Sequence, residues 1–142
     1  MGLLLLLGLG CGPTTASVPY RLEALELAAP ATPAACRAGV TTGERWLVFV
    51  EDGCLPCKDW LRRLDAQNTR LRSAGVTGEV VVVDRAGCLG AMRVAGAWPH
   101  VRHADDEAEE AWVITSFPVT YRVRDDTVLG RLEGRVSLDR LA

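Results

Sequence analysis

Two cysteines set two residues apart, in Cys54-Leu55-Pro56-Cys57-Lys58, are the side chains of this sequence best placed to do chemistry. Thiols in this spacing meet when the intervening residues form the first turn of a helix, because positions three apart share a helix face. A sulfur at such a helix start lies beside backbone N–H groups that have no partner within the helix and at the positive end of the dipole. That environment favours the thiolate and makes Cys54 the more reactive member of the pair. Pro56 fits the first turn, where a missing N–H costs nothing. Three chemistries are open to the pair: reversible dithiol–disulfide exchange, half of a structural zinc site, or an inert disulfide. Zinc would require two further ligands at similar spacing. The other cysteines, Cys11, Cys36 and Cys88, form no second pair of that kind, and the histidines are His100 and His103.

The elements that must position the pair are legible on both sides. Trp46–Val50 is an apolar run, and Glu51-Asp52-Gly53 is a polar turn after it. Cys57, Leu61, Leu64 and Leu71, with Trp60 beside them, follow at helical spacing. Gly75 and Gly78 bracket a turn, and Glu79–Asp84 then reads as a second strand without alternation. Two continuous apolar strands around a helix imply a parallel, doubly covered pair with a right-handed crossover. Downstream, Val119, Tyr121 and Val123 alternate with Thr120, Arg122 and Arg124, which reads as a strand with one buried face. An Asp125-Asp126 turn leads to a partner strand over Thr127–Leu132.

Strand, turn, Cys-x-Pro-Cys-Lys and helix together resemble the active site of the thioredoxin superfamily. The resemblance extends to Trp112-Val113-Ile114-Thr115-Ser116-Phe117-Pro118-Val119-Thr120, because members carry a cis proline at the start of a strand packed against the dithiol, and Pro118 is similar in placement. The hairpin, Gly134 and a last helix capped by Ser137 follow in the family's order, so the similarity covers residues 44–142. It implies a three-layer α/β fold, a central mixed sheet with flanking helices, and thiol–disulfide exchange. In that reaction Cys54 attacks a partner disulfide and Cys57 resolves the mixed disulfide. Phe117 and Pro118 would form the surface along which the substrate backbone lies. No cofactor beyond the Cys54–Cys57 disulfide is implied. Proline directly before the second cysteine is typical of the family's reductases. Gly53 stands where thioredoxins place tryptophan, and Val48 where cytosolic members bury an aspartate that assists proton transfer. Glu51 and Asp52 lie near enough to take that role, and Pro56 and Lys58 complete the tuning residues.

The composition is globular, and a formal charge of −2 suggests no nucleic-acid partner. Lys58 is the only lysine among 16 basic residues, a coding bias more than a functional signal. No apolar stretch reaches the roughly eighteen residues of a stable membrane span. Residues 1–11, with Leu3–Leu7 and then Gly8-Leu9-Gly10-Cys11, read as an export signal resembling the bacterial lipoprotein type, in which Cys11 becomes the lipidated first residue. Residues 12–43 read as a tether and extension. They hold an amphipathic piece over Tyr20–Leu27, expected as an extra helix or strand packed on the domain, and a linker over Ala29–Ala35. Arg85–Ala104 reads as a short helix and an inserted loop, and Asp105–Ala111 as a helix with an acidic first turn.

If Cys11 is an anchor, four cysteines remain, and an exported protein with an even count pairs them: Cys54 with Cys57 and Cys36 with Cys88. In a parallel strand pair, however, Cys36 and Cys88 fall at opposite ends of the sheet. Pairing therefore requires one of these segments to fold back, and two buried free thiols are the alternative. The sequence thus describes an exported, membrane-tethered oxidoreductase of the bacterial periplasm. It would act on cysteine-bearing envelope proteins or cytochrome c apoproteins and draw on a membrane or periplasmic thiol donor. The competing account is a binding module of the same fold whose cysteines hold a metal or a structural disulfide.

Overall fold

The computed structural model describes residues 27–38, 43–73 and 75–134. Cys11, the leader, most of the Tyr20–Leu27 piece and the helix expected after Ser137 lie outside the described residues. The elements in chain order are β1 (Leu27–Ala28), β2 (Ala34–Arg37), β3 (Glu44–Glu51), α1 (Leu55–Ser73), β4 (Val76–Val83), α2 (Cys88–Ala95), β5 (Val101–Ala104), α3 (Asp106–Ala111), β6 (Val119–Arg124) and β7 (Thr127–Glu133). The strands form one seven-stranded sheet in the order β1-β7-β6-β3-β4-β5-β2. Strands β3, β4 and β5 run parallel, while β6, β7, β1 and β2 are each antiparallel to their neighbours. The mixed α/β layering is the one expected.

Alternation along the central strands divides the interior in two. Trp46, Val48, Val50, Val80 and Val82 face Cys57, Trp60, Leu61 and Leu64 of α1 and Ala91 and Ala95 of α2. Leu47, Phe49 and Val81 face the other way, onto Trp112, Ile114 and Tyr121. The β3 and β4 runs read as unbroken apolar strings because both faces are covered. Each such side chain contributes about 1.5–3 kcal/mol on full burial. The second face carries an aromatic cluster, with Trp112 and Tyr121 centroids 5.0 Å apart and both rings within 6 Å of Phe49.

Four sequence expectations change. The sheet begins at Leu27, so part of the stretch read as tether and linker supplies both edge strands. Residues 29–33 cross a face of the sheet between them, where Trp112 Nε1 donates to Ala31 O at 3.0 Å. The inserted loop after α2 contains β5, which hides because its Arg102 is buried against Glu79 (Nε to Oε1, 2.7 Å) and donates to Pro33 O at 2.7 Å. Arg45 approaches the same carboxylate at 3.7 Å, so a buried ionic cluster pins the crossing segment at the N-terminal half of β3 and β4. Gly78 lies inside β4 rather than in a turn, and a Cβ there would stand 3.3 Å from Trp98 Cζ3. Finally, α3 begins at Asp106. Asp105 is its cap, its carboxylate accepting from Ala108 N at 2.8 Å.

Candidate active site

Strand β3 ends at Glu51, and Gly53 turns the chain at φ 80°, a conformation glycine adopts without steric cost. Cys54 follows as the residue before α1. Its carbonyl accepts the Lys58 N–H at 3.2 Å, and its sulfur accepts the Cys57 N–H at 3.1 Å. One N–H of the helix start, that of Cys57, therefore points at the first sulfur. The two cysteines are bonded to each other, with Cα atoms 5.2 Å apart. They are not equivalent: Cys57 is 1% exposed, whereas Cys54 is only partly buried. A nucleophile from outside reaches Cys54 first.

The Phe117–Pro118 peptide bond is cis, and Pro118 is buried at the entry to β6. Val119 pairs with Phe49, so Pro118 falls level with Val50 near the end of β3. Phe117 is half-buried and packs on the same cluster as Cys54 and Cys57. Gly134 N donates to Pro118 O at 2.8 Å, fixing the far side of the bend. The structure thus brings Cys54, Cys57, Phe117 and Pro118 to one end of the sheet. Pro56 and Lys58 are exposed in the first turn of α1, and Glu51 is exposed at the strand end.

Two contacts near the site went unread in the sequence. Trp60, fully buried, donates its indole N–H to Thr120 Oγ1 at 2.9 Å and so ties the dithiol helix to the strand that begins after Pro118. Arg93 of α2 lies 3.6 Å from the Asp52 carboxylate and 3.7 Å from that of Asp84, linking the turn before Cys54 to α2. Both Asp52 and Arg93 are largely exposed, so the pair adds little stability. A groove of about 460 Å³ runs between α1 and α2, lined by Leu55, Lys58, Leu61, Val94 and Trp98 among others. Leu55, the residue between the first cysteine and Pro56, is 73% exposed at its edge.

Cys36 and Cys88 are bonded, with Cα atoms 5.3 Å apart. The fold-back that the pairing requires is supplied by β2, which runs antiparallel along β5 with a register shift between Ala35 and Arg37. Cys88 opens α2, and the bridge fastens that helix to the sheet edge. His100 and His103, weighed as metal ligands, face backbone carbonyls instead: His100 Nδ1 meets Ala38 O, and His103 Nε2 meets Asp84 O at 2.6 Å. Among the described residues no cluster of three or more His, Cys, Asp or Glu side chains could hold a metal ion.

A dithiol at a helix start, a cis proline opening the next antiparallel strand, and the β3-α1-β4 crossover decide the architecture. The chain has the thioredoxin fold. Solved structures with this fold agree over most of their length. The thiol:disulfide interchange protein of the thioredoxin family from Chlorobium tepidum superposes with a TM-score of 0.56 at 18% identity, over 80% of this chain and 94% of that one. StoA from Bacillus subtilis gives 0.55 at 16% identity, over 79% and 96%. A secreted thiol-disulfide isomerase from Corynebacterium glutamicum gives 0.64 at 13% identity, over 88% and 89%. No protein-family model and no curated protein sequence matches the chain. Within this thioredoxin fold, β1 and β2 close the two sheet edges, and among the described residues no helix is long and apolar enough to cross a membrane.

Proposed function

We propose that the protein is a thiol–disulfide oxidoreductase of the bacterial cell envelope, working as a reductase through Cys54 and Cys57. The observation that carries this reading is the asymmetry of the pair: one sulfur accessible and hydrogen-bonded at a helix start, its partner buried directly behind it. In the reduced protein the Cys54 thiolate attacks a disulfide in a substrate protein. An S–S bond forms between them, and the substrate's second sulfur leaves as a thiolate that takes up a proton. Cys57, losing its proton, then attacks the Cys54 sulfur and expels the substrate's remaining thiolate. Two electrons and two protons have passed to the substrate, and the Cys54–Cys57 disulfide awaits reduction by a membrane or periplasmic thiol donor.

Phe117 and Pro118 offer the edge along which an extended substrate segment lies. Glu51 and Asp52 stand closest in sequence for proton exchange, and no cofactor other than the disulfide takes part. Export fits the secreted thiol-disulfide isomerase among the structural neighbours. Lipidation of Cys11 would hold the domain at the membrane surface. The direct test is capture. Cys57→Ser leaves Cys54 without its resolving thiol, so envelope proteins should accumulate as mixed disulfides on Cys54 and be released by dithiothreitol. Cys54→Ser should capture nothing. Equal capture by both variants, or by neither, would remove the reading.

A further inference from the structure

The hairpin β6–β7 carries a buried cation that the exchange chemistry does not require. Arg131 is 6% exposed and lies directly opposite Tyr121 in the strand register. Its Nε donates to Tyr121 Oη at 3.0 Å, its Nη2 to Val113 O at 3.1 Å, and its Nη1 pairs with Glu133 Oε2 at 2.7 Å. Tyr121 in turn donates its hydroxyl to Trp112 O. Glu133 accepts from Ser116 Oγ at 3.4 Å through its other oxygen. Every one of these lines ends on residues 112–118, the bend that delivers Phe117 and cis Pro118 to the site.

Burying a guanidinium against a carboxylate that is itself 39% exposed is a costly way to hold two strands together, and apolar replacements of similar size at buried charges are often neutral or stabilising. What the guanidinium adds is direction, through a planar fork of fixed geometry. The direction matters because Val113, β-branched and 61% exposed, sits at φ 53°, a conformation such residues rarely adopt. Its carbonyl is aimed inward at Arg131 while its side chain faces out. We propose that Arg131 is a positioning residue: through Tyr121 and Glu133 it sets the path of 112–118 and hence the edge at Phe117–Pro118 on which a protein substrate docks. This inference rests on the thiol–disulfide exchange reading.

The consequence is selective. A misplaced docking edge penalises substrates that use it, and a displacement of about 1 Å can cost on the order of a hundredfold. A small disulfide that reaches Cys54 without touching the edge is indifferent. The experiment compares wild type with Arg131→Met and Arg131→Lys, using insulin as the protein disulfide, with dithiothreitol to regenerate the dithiol, and a diaryl disulfide as the small one, reduced in a single turnover by the pre-reduced protein without added thiol. For Arg131→Met, kcat/KM toward insulin should fall about tenfold or more, carried by KM, while the small disulfide reacts within about twofold of wild type. Arg131→Lys should restore part of the loss. If Arg131→Met does not fold, Tyr121→Phe serves, since it keeps the ring and removes only the hydroxyl between Trp112 O and Arg131; the same split is expected. Equal losses with both disulfides, or no loss with either, in an active protein would overturn this inference alone. A wild type inactive on both would remove the exchange reading and this one with it.

Discussion

Removing the Cys36–Cys88 bridge should destabilise the protein mainly by freeing the unfolded chain. The cysteines are 52 residues apart in sequence, and the chain-entropy relation for a loop of that length gives about 4 kcal/mol. Native contacts at the site of the cut survive it. Arg37 Nη1 still donates to Gly96 O at 2.8 Å and to Trp98 O at 2.5 Å, and Arg102 still holds Pro33 O. The expected loss for Cys36→Ala/Cys88→Ala is therefore about 2–4 kcal/mol, with a fall in Tm of roughly 10 °C. Urea unfolding under oxidising conditions, with Cys54–Cys57 closed in both proteins, measures it. The slope of free energy against urea should also rise, because the released chain exposes more surface when unfolded. A loss below about 1 kcal/mol with an unchanged slope would refute the reasoning, since it would mean that the bridge constrains nothing in the unfolded state.

Three further outcomes follow from single contacts. Trp60→Phe keeps most of the buried ring but strands Thr120 Oγ1, and should cost about 1–3 kcal/mol in urea unfolding. Gly78→Val sets a branched side chain where a Cβ alone would stand 3.3 Å from Trp98 Cζ3 and should cost about 1–3 kcal/mol, with part of the loss recovered when Trp98 is shortened to Phe in the same chain. Burial, opposed in part by Arg131, raises the Tyr121 phenol above its ordinary value of 10.0. The unfolded chain then loses that proton first, so the stability contributed is fully present below about pH 10 and declines as pH rises through the folded value. Unfolding measured between pH 8 and 11 should show the decline in wild type and a shallower one in Tyr121→Phe.

What the sequence revealed and what it hid divide along physical lines. The strands β3 and β4, the α1 helix and the β6–β7 hairpin announce themselves through local periodicity and turn residues. The Cys-x-x-Cys spacing and the placement of Pro118 carry the site with them. Strands β1 and β2 hold two and four residues beside Pro30 and Pro33, and become strands only through partners far away in sequence. Strand β5 contains Arg102 and His103, which read as surface residues until Glu79 and the Asp84 carbonyl are brought beside them. The Cys36–Cys88 bridge depends on β2 folding back along the edge, a consequence of topology that spacing does not express. Arg131 carries no local signal within the Thr127–Leu132 strand, because its acceptors come from Tyr121, Glu133 and the 112–118 segment.

The central claim is that the two active-site sulfurs have unequal roles fixed by the helix start. The measurement that meets it most directly is the order of alkylation in protein reduced at Cys54–Cys57, followed by peptide mass spectrometry after brief exposure to iodoacetamide at mildly acidic pH. The expected result is that Cys54, partly exposed and accepting the Cys57 N–H at the start of α1, is labelled while Cys57, 1% exposed in the oxidised protein, is still unlabelled. Labelling of Cys57 first, or of both at one rate, would contradict it.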